Sequence, residues 1–180
     1  MNDINGGLFA LIFLTGFLVP LIFAVVFYVL GSWFLMGIFR KAGVRTPAVA
    51  WIPVYNAMVF AKLADTSPWI PLILIGGSIV ITPIPILGAI VSFVLSIAAI
   101  AYAIGIAWRI SVKFGKEPVG WTIFGVLLSL IWLGVLGLGS AQWRTGPENG
   151  IEAPFWHKWG AFFRDTTTWG GVPYQGYDAA

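Results

Sequence analysis

The stretch Leu8–Phe39, LFALIFLTGFLVPLIFAVVFYVLGSWFLMGIF, carries no charged side chain. Water is a poor solvent for such a run, and in lipid a helix satisfies its own backbone groups. A helix over that stretch measures roughly 48 Å, against a hydrocarbon core of roughly 30 Å. It must therefore tilt, kink or project from the bilayer. Pro20 is the natural kink, because it removes one backbone donor and clashes with the turn before it. Arg40, Lys41 and Arg45 follow at once and mark the end of the span.

The rest of the chain has the same character. Of its 180 residues 59% are hydrophobic and 9% are charged, where globular chains carry about 25% charged residues. The expected fold class is all-α: a polytopic transmembrane helical bundle of about four spans, with a re-entrant or interfacial segment and a short amphipathic tail helix. No cation precedes the first apolar run, and the run is longer than a signal-peptide core, so it reads as a retained anchor. The net charge of +3 includes no basic run interleaved with aromatics, so nucleic acid is not an expected partner. Cysteine is absent and His157 is the single histidine.

The spans fall at about 8–39, 69–82, 86–111 and 119–138. Pro47–Ala64 contains Trp51-Ile52-Pro53-Val54-Tyr55-Asn56 and is short for a span. It reads as a re-entrant or interfacial element broken at Pro53, since irregular backbone at membrane depth needs cover. Thr82-Pro83-Ile84-Pro85 favours extended backbone and forms a turn. Ala99, Ala103 and Ala107 make a small-residue row that lets a neighbouring helix approach. The Arg40–Arg45 and Arg109–Lys116 loops are basic and should share the cytoplasmic side. The N-terminus and the tail are then extracytoplasmic, in a bacterial cytoplasmic membrane. Residues 1–139 form the bundle and 140–180 an aromatic-rich tail, with helical spacing of aromatics within Pro154–Asp165.

Little in the sequence suggests catalysis. The apolar spans show no Asp, Glu, Lys or His at depth, which argues against a pump or an ion-coupled transporter acting alone. One histidine cannot supply paired haem ligands, and there is no cluster for a metal. Neither a catalytic residue nor a cofactor is expected. A serine–lysine protease would need Ser32 or Ser67 beside Lys41 or Lys62, and the sequence places neither pair together. Asn56 and Tyr55 form a polar binding element at depth or, more simply, repair backbone groups freed by Pro53. Phe114-Gly115-Lys116 reads as a glycine-capped helix end or as a contact with anionic headgroups. Trp69, Trp108 and Trp121 suit an interfacial belt. The tail aromatics Trp143, Phe155, Trp156, Trp159, Phe162, Phe163 and Trp169 suit either an interfacial helix or docking on a partner or lipid.

An ordered set of pieces carries a family likeness. They are Phe39-Arg40-Lys41-Ala42-Gly43, Ala50-Trp51-Ile52-Pro53-Val54-Tyr55-Asn56, Phe114-Gly115-Lys116 and Val135-Leu136-Gly137-Leu138-Gly139-Ser140-Ala141-Gln142-Trp143. Over about Trp33–Trp143 the chain resembles a family of small polytopic bacterial membrane proteins of unassigned activity, some labelled signal peptidase-like. The motif residues Trp51, Pro53, Tyr55, Asn56, Phe114, Gly115 and Lys116 carry the likeness, which implies no catalytic role for them. The proline-rich turn, the aromatic tail and Ser140, where an acidic residue is usual, depart from the pattern. In size and type the chain is also similar to small accessory subunits of actinobacterial cytochrome bc–cytochrome oxidase supercomplexes. The expected function is a non-catalytic accessory, structural or assembly subunit of a membrane complex, contacting other integral membrane subunits and lipids. The alternative is a small-molecule or lipid facilitator using the broken segment around Pro53.

Overall fold

A computed structural model of the chain describes residues 2–81, 84, 86–144 and Val172. Every regular element among the described residues is a helix. Helix α1 (Asn2–Phe13), a π-turn (Leu14–Leu18) and α2 (Val19–Lys41) run on as one rod. Pro20 causes no break. The π-turn just before it closes with the Val19 N–H bonded to Leu14 O, and such a bulge is one of the ways a helix accommodates a disrupted ladder. A 3₁₀ turn (Pro47–Trp51) and α3 (Tyr55–Leu63) follow. Then come α4 (Trp69–Ile81), α5 (Leu87–Lys113), α6 (Pro118–Leu127) and α7 (Ser129–Leu138). Gly6–Lys41 and Leu87–Lys113 are long and apolar enough to cross a membrane.

Three helices stop in the same way. After α2, Gly43 takes φ 74°, Val44 N–H bonds Phe39 O at 3.0 Å and Gly43 N–H bonds Arg40 O at 3.2 Å. After α5, Gly115 takes φ 64°, with Lys116 N–H on Ser111 O at 3.0 Å. These are glycine caps that satisfy the last carbonyls of a helix. After α3 the same position is held by Asp65 at φ 54°, with Thr66 N–H on Ala61 O at 3.0 Å. Aspartate tolerates this left-handed conformation better than most residues.

The ends of α2, α5 and α7 meet. The Lys41 ammonium donates to Leu136 O at 2.7 Å and to Gly139 O at 2.6 Å, and lies 5.7 Å from the Phe114 ring centre. Helix α7 runs parallel to α2: a Cβ on Gly31 would lie 3.7 Å from Leu130, and one on Gly37 would lie 2.7 Å from Gly137 O. Helix α6 runs back along α5, where a Cβ on Gly125 would lie 3.2 Å from Ala107. So α6 leaves the end of α5, the chain bends at Leu128 (φ −128°, ψ 51°), and α7 returns to the same end.

The sequence suggests one span over 119–138; the structure has two ten-residue helices that fold back on each other. The reason is steric. Glycines at 125, 134 and 137 admit Trp132 and Phe34 so closely that packing, not proline, sets the bend.

The 47–64 segment also folds back. Tyr28 OH donates to Trp51 O at 2.7 Å, about 20 Å of helix axis from Lys41. From there α3 returns to the end of α5. This agrees with the expected break at Pro53, and Val54 takes φ 64° there in a tight turn closed by Tyr55 N–H on Pro53 O at 2.7 Å.

The core gathers at this common end. Leu35, Ile38, Phe39, Val59, Leu63, Ile110, Phe114, Trp132 and Leu136 are buried together, with Val172 of the tail among them. In contrast, every residue from Gly6 to Leu30 is exposed. Of the expected small-residue row only Ala107 is buried; Ala103 is exposed.

Candidate functional site

Four charged side chains lie inside the core end: Lys62, Asp65, Arg109 and Lys113. Arg109 and Lys113 are one helical turn apart, so they share the face of α5 turned toward α3. Arg109 is 1% exposed and Lys113 fully buried. This burial is within the protein, at the end of α5. Residues that read as a solvated basic loop are interior, because the last two turns of α5 are covered by α3 and by the chain after α7.

Their work is visible in the hydrogen bonds. The Arg109 guanidinium donates through Nη1 to Ala64 O at 2.7 Å and to Asp65 O at 3.0 Å. Lys113 Nζ donates to Leu63 O at 2.6 Å and pairs with the Asp65 carboxylate at 2.7 Å. The last carbonyls of α3 have no intrahelical partner and carry the negative end of its dipole. Two cations from α5 supply both needs at once. Asp65 then partly offsets the charge on Lys113, against which Arg109 and Lys62 push.

A lid of aromatics closes the cluster. The Phe114 and Trp143 rings meet edge-on at 5.1 Å, and Lys113 Nζ lies 5.6 Å from the Trp143 ring. The Arg144 N–H fixes this stretch by bonding Lys113 O at 2.7 Å. The tail therefore starts at the basic end, not on the far side from the basic residues as the sequence suggested.

The motif residues fall into two groups. Phe114, Gly115 and Lys116 cap α5 beside the cluster. Trp51, Pro53, Tyr55 and Asn56 lie at the turn into α3, where the Asn56 side-chain amide donates to Ala50 O at 3.1 Å. That bond is the backbone repair considered above. Trp143 packs within the chain as just described. Phe155, Trp156, Trp159, Phe162, Phe163 and Trp169, and the tail helix expected around them, lie outside the described residues. Lys41 is held by two carbonyls of α7 and its neighbour, not by a serine. Among the described residues no three His, Cys, Asp or Glu side chains gather as a metal site.

Asp65 is the functional-looking residue the sequence reading missed. The available signal was its place directly after Lys62-Leu63-Ala64, at a helix end where glycine is usual.

Fold and site together define an all-helical protein with two helices fit to cross a membrane and a buried ionic clamp at one end. The chain belongs to a family of unknown function, DUF5684, whose model matches residues 48–146. That range takes in both fold-back pairs and the whole charge cluster, and leaves out the whole of the long first helix. No curated protein matches the chain, and no solved structure does.

Proposed function

We propose that the protein is a non-catalytic accessory or assembly subunit of a larger membrane complex. The observation that carries this reading is the length of the exposed first helix. Its 36 residues, Gly6–Lys41, extend about 54 Å. Even at a tilt of about 40°, only about 26 residues fit within the hydrocarbon. With Lys41 at one interface, Leu8, Phe9, Leu11, Ile12 and Phe13 pass beyond it. Each is about half exposed or more, and covering such side chains is worth roughly 1.5–3 kcal/mol apiece. A partner's membrane-facing surface would cover them. The two fold-back pairs then serve as re-entrant elements, and α2, α5 and the stretch that runs through the short helix α4 as crossings. The positive residues at the shared end support a cytoplasmic side for it, in a bacterial cytoplasmic membrane. Three crossings, with two re-entrant pairs, replace the four spans read from the sequence. A respiratory cytochrome bc–oxidase assembly is the candidate partner suggested by likeness of size and type.

The test is co-purification in a mild detergent, with a haem spectrum. The full chain should bring stoichiometric integral membrane partners, and deletion of residues 2–13 should release them while the remaining protein stays helical. Equal retention of partners by the shortened chain would sink the reading. Deleting Ala153–Ala180 asks the same question of the tail. The facilitator alternative needs a polar path to Asn56, and the engaged Asn56 amide supports the structural role instead.

A further inference from the structure

We infer that the shared end carries a headgroup site for an anionic phospholipid, built by Lys116 and Arg144 next to Gly115. The inference rests on the membrane reading of the two long helices, and goes beyond the accessory role.

The apolar helix α5 ends at Lys113, so Lys116 lies just past the level where hydrocarbon would stop. Its ammonium is 4.8 Å from the Trp121 ring centre, which holds the side chain over an aromatic face. Arg144 is brought to the same place from the far end of α7. Its backbone N–H is tied to Lys113 O at 2.7 Å, and its guanidinium covers Gly115 so closely that a Cβ there would lie 3.0 Å from Cζ. Two cations distant in sequence are thus fixed beside one residue. Trp121 and Trp143, both half-buried, place amphipathic rings at headgroup level.

Among the described residues the neighbouring acids are already engaged. Glu117 accepts from the Val119 and Gly120 N–H groups at 2.8 and 2.7 Å, as an N-cap of α6. Asp65 is buried against Lys113. Arg144 is exposed and Lys116 partly so, so among the described residues the surface beside Gly115 is cationic. A fork of guanidinium and ammonium suits a phosphodiester. Its position at the rim of the apolar helices favours a phosphate carried by lipid over one in solution.

The first step floats the full-length protein with phosphatidylcholine vesicles after an alkaline wash; failure to float refutes the membrane reading itself. The second offers detergent-solubilised protein equal amounts of phosphatidylglycerol and phosphatidylcholine and reads retained lipid by native mass spectrometry. Phosphatidylglycerol should be preferred. Lys116→Gln and Arg144→Gln should each lower the preference about fivefold, Arg144→Lys should keep most of it, and Arg45→Gln should leave it unchanged. Helical circular dichroism checks that the variants fold. A wild-type protein without preference overturns the site, as does a Lys116→Gln/Arg144→Gln protein that keeps the full preference. Displacement of the lipid by equimolar glycerol phosphate overturns the lipid assignment in favour of a soluble anion.

Discussion

The two fold-back pairs solve one problem by different means. Each returns a short helix to the shared end and must settle the carbonyls at that helix's C-terminus. For α3 the partners are Arg109 and Lys113, both buried, with Asp65 as counter-charge. For α7 the partner is Lys41, only partly buried, and no carboxylate attends it among the described residues. Steric fit takes the place of charge there: a Cβ on Gly137 would overlap the Phe34 carbonyl oxygen. A buried ionic clamp is unforgiving, because removing one partner strands the other. A glycine crossing is unforgiving of added volume instead. The family match from 48 to 146 covers both helices α3 and α7 but only the α3 clamp in full, since Lys41 and Phe34 lie outside it.

The largest expected effect breaks the α3 clamp. Lys113→Met should destabilise the protein by about 3–5 kcal/mol, because Asp65 is left charged and buried. Adding Asp65→Leu should recover most of that loss, since an apolar pair of similar volume replaces the ion pair. Thermal unfolding in detergent, run as a double-mutant cycle, reads both values. Additive losses would mean that the pair is not the clamp.

Next comes the glycine crossing. Gly137→Ala should cost about 1–3 kcal/mol, by forcing α2 and α7 apart. Gly76→Ala, on a glycine with open space around it, serves as the control and should be neutral or slightly stabilising. An equal response at both sites would reduce the α2–α7 contact to an incidental one.

A smaller loss is expected from Lys41→Met. It removes two charge-assisted bonds to carbonyls, worth about 1.5–3 kcal/mol when fully buried and less at a partly exposed site. If Lys41→Met matched Lys113→Met, the contrast between the two clamps would vanish.

These contrasts also separate what the sequence discloses from what it hides. The long helix, the glycine cap after α5, and the break at Pro53 are legible because each rests on local chemistry: charge-free length, left-handed glycine, a missing N–H. The bend at Leu128 is not, because neither Pro nor Gly occupies that position. It follows from glycines at 125, 134 and 137 meeting Trp132 and Phe34, and only the density of glycine in that stretch hints at it. The charge cluster is hidden for a related reason. Arg109 and Lys113 look like an ordinary positive end of a span, and only the return of α3 turns them inward. Asp65 stands alone in its stretch, so its partner becomes evident only when residues 50 positions apart meet, as Leu63 and Lys113 do.

The smallest prediction tests the tip of the first fold-back pair. Val54 is β-branched and takes φ 64°, ψ −50°, a conformation close to the strained form of the three-residue turn. Two neighbours hold it there. Pro53 fixes the chain before it and contributes the carbonyl that Tyr55 N–H reaches at 2.7 Å, while Asn56 N–H bonds Ile52 O at 3.0 Å. Glycine adopts positive φ without steric cost, so Val54→Gly should stabilise the folded protein, less the greater entropy that glycine brings to the unfolded chain. The net gain is expected to be about 1 kcal/mol or less, read as a small rise in the thermal midpoint. Ala57→Gly, inside α3, should lower the midpoint by a similar amount. If both substitutions lowered it equally, the turn at Val54 would not be strained, and burial of the valine side chain would outweigh its backbone geometry.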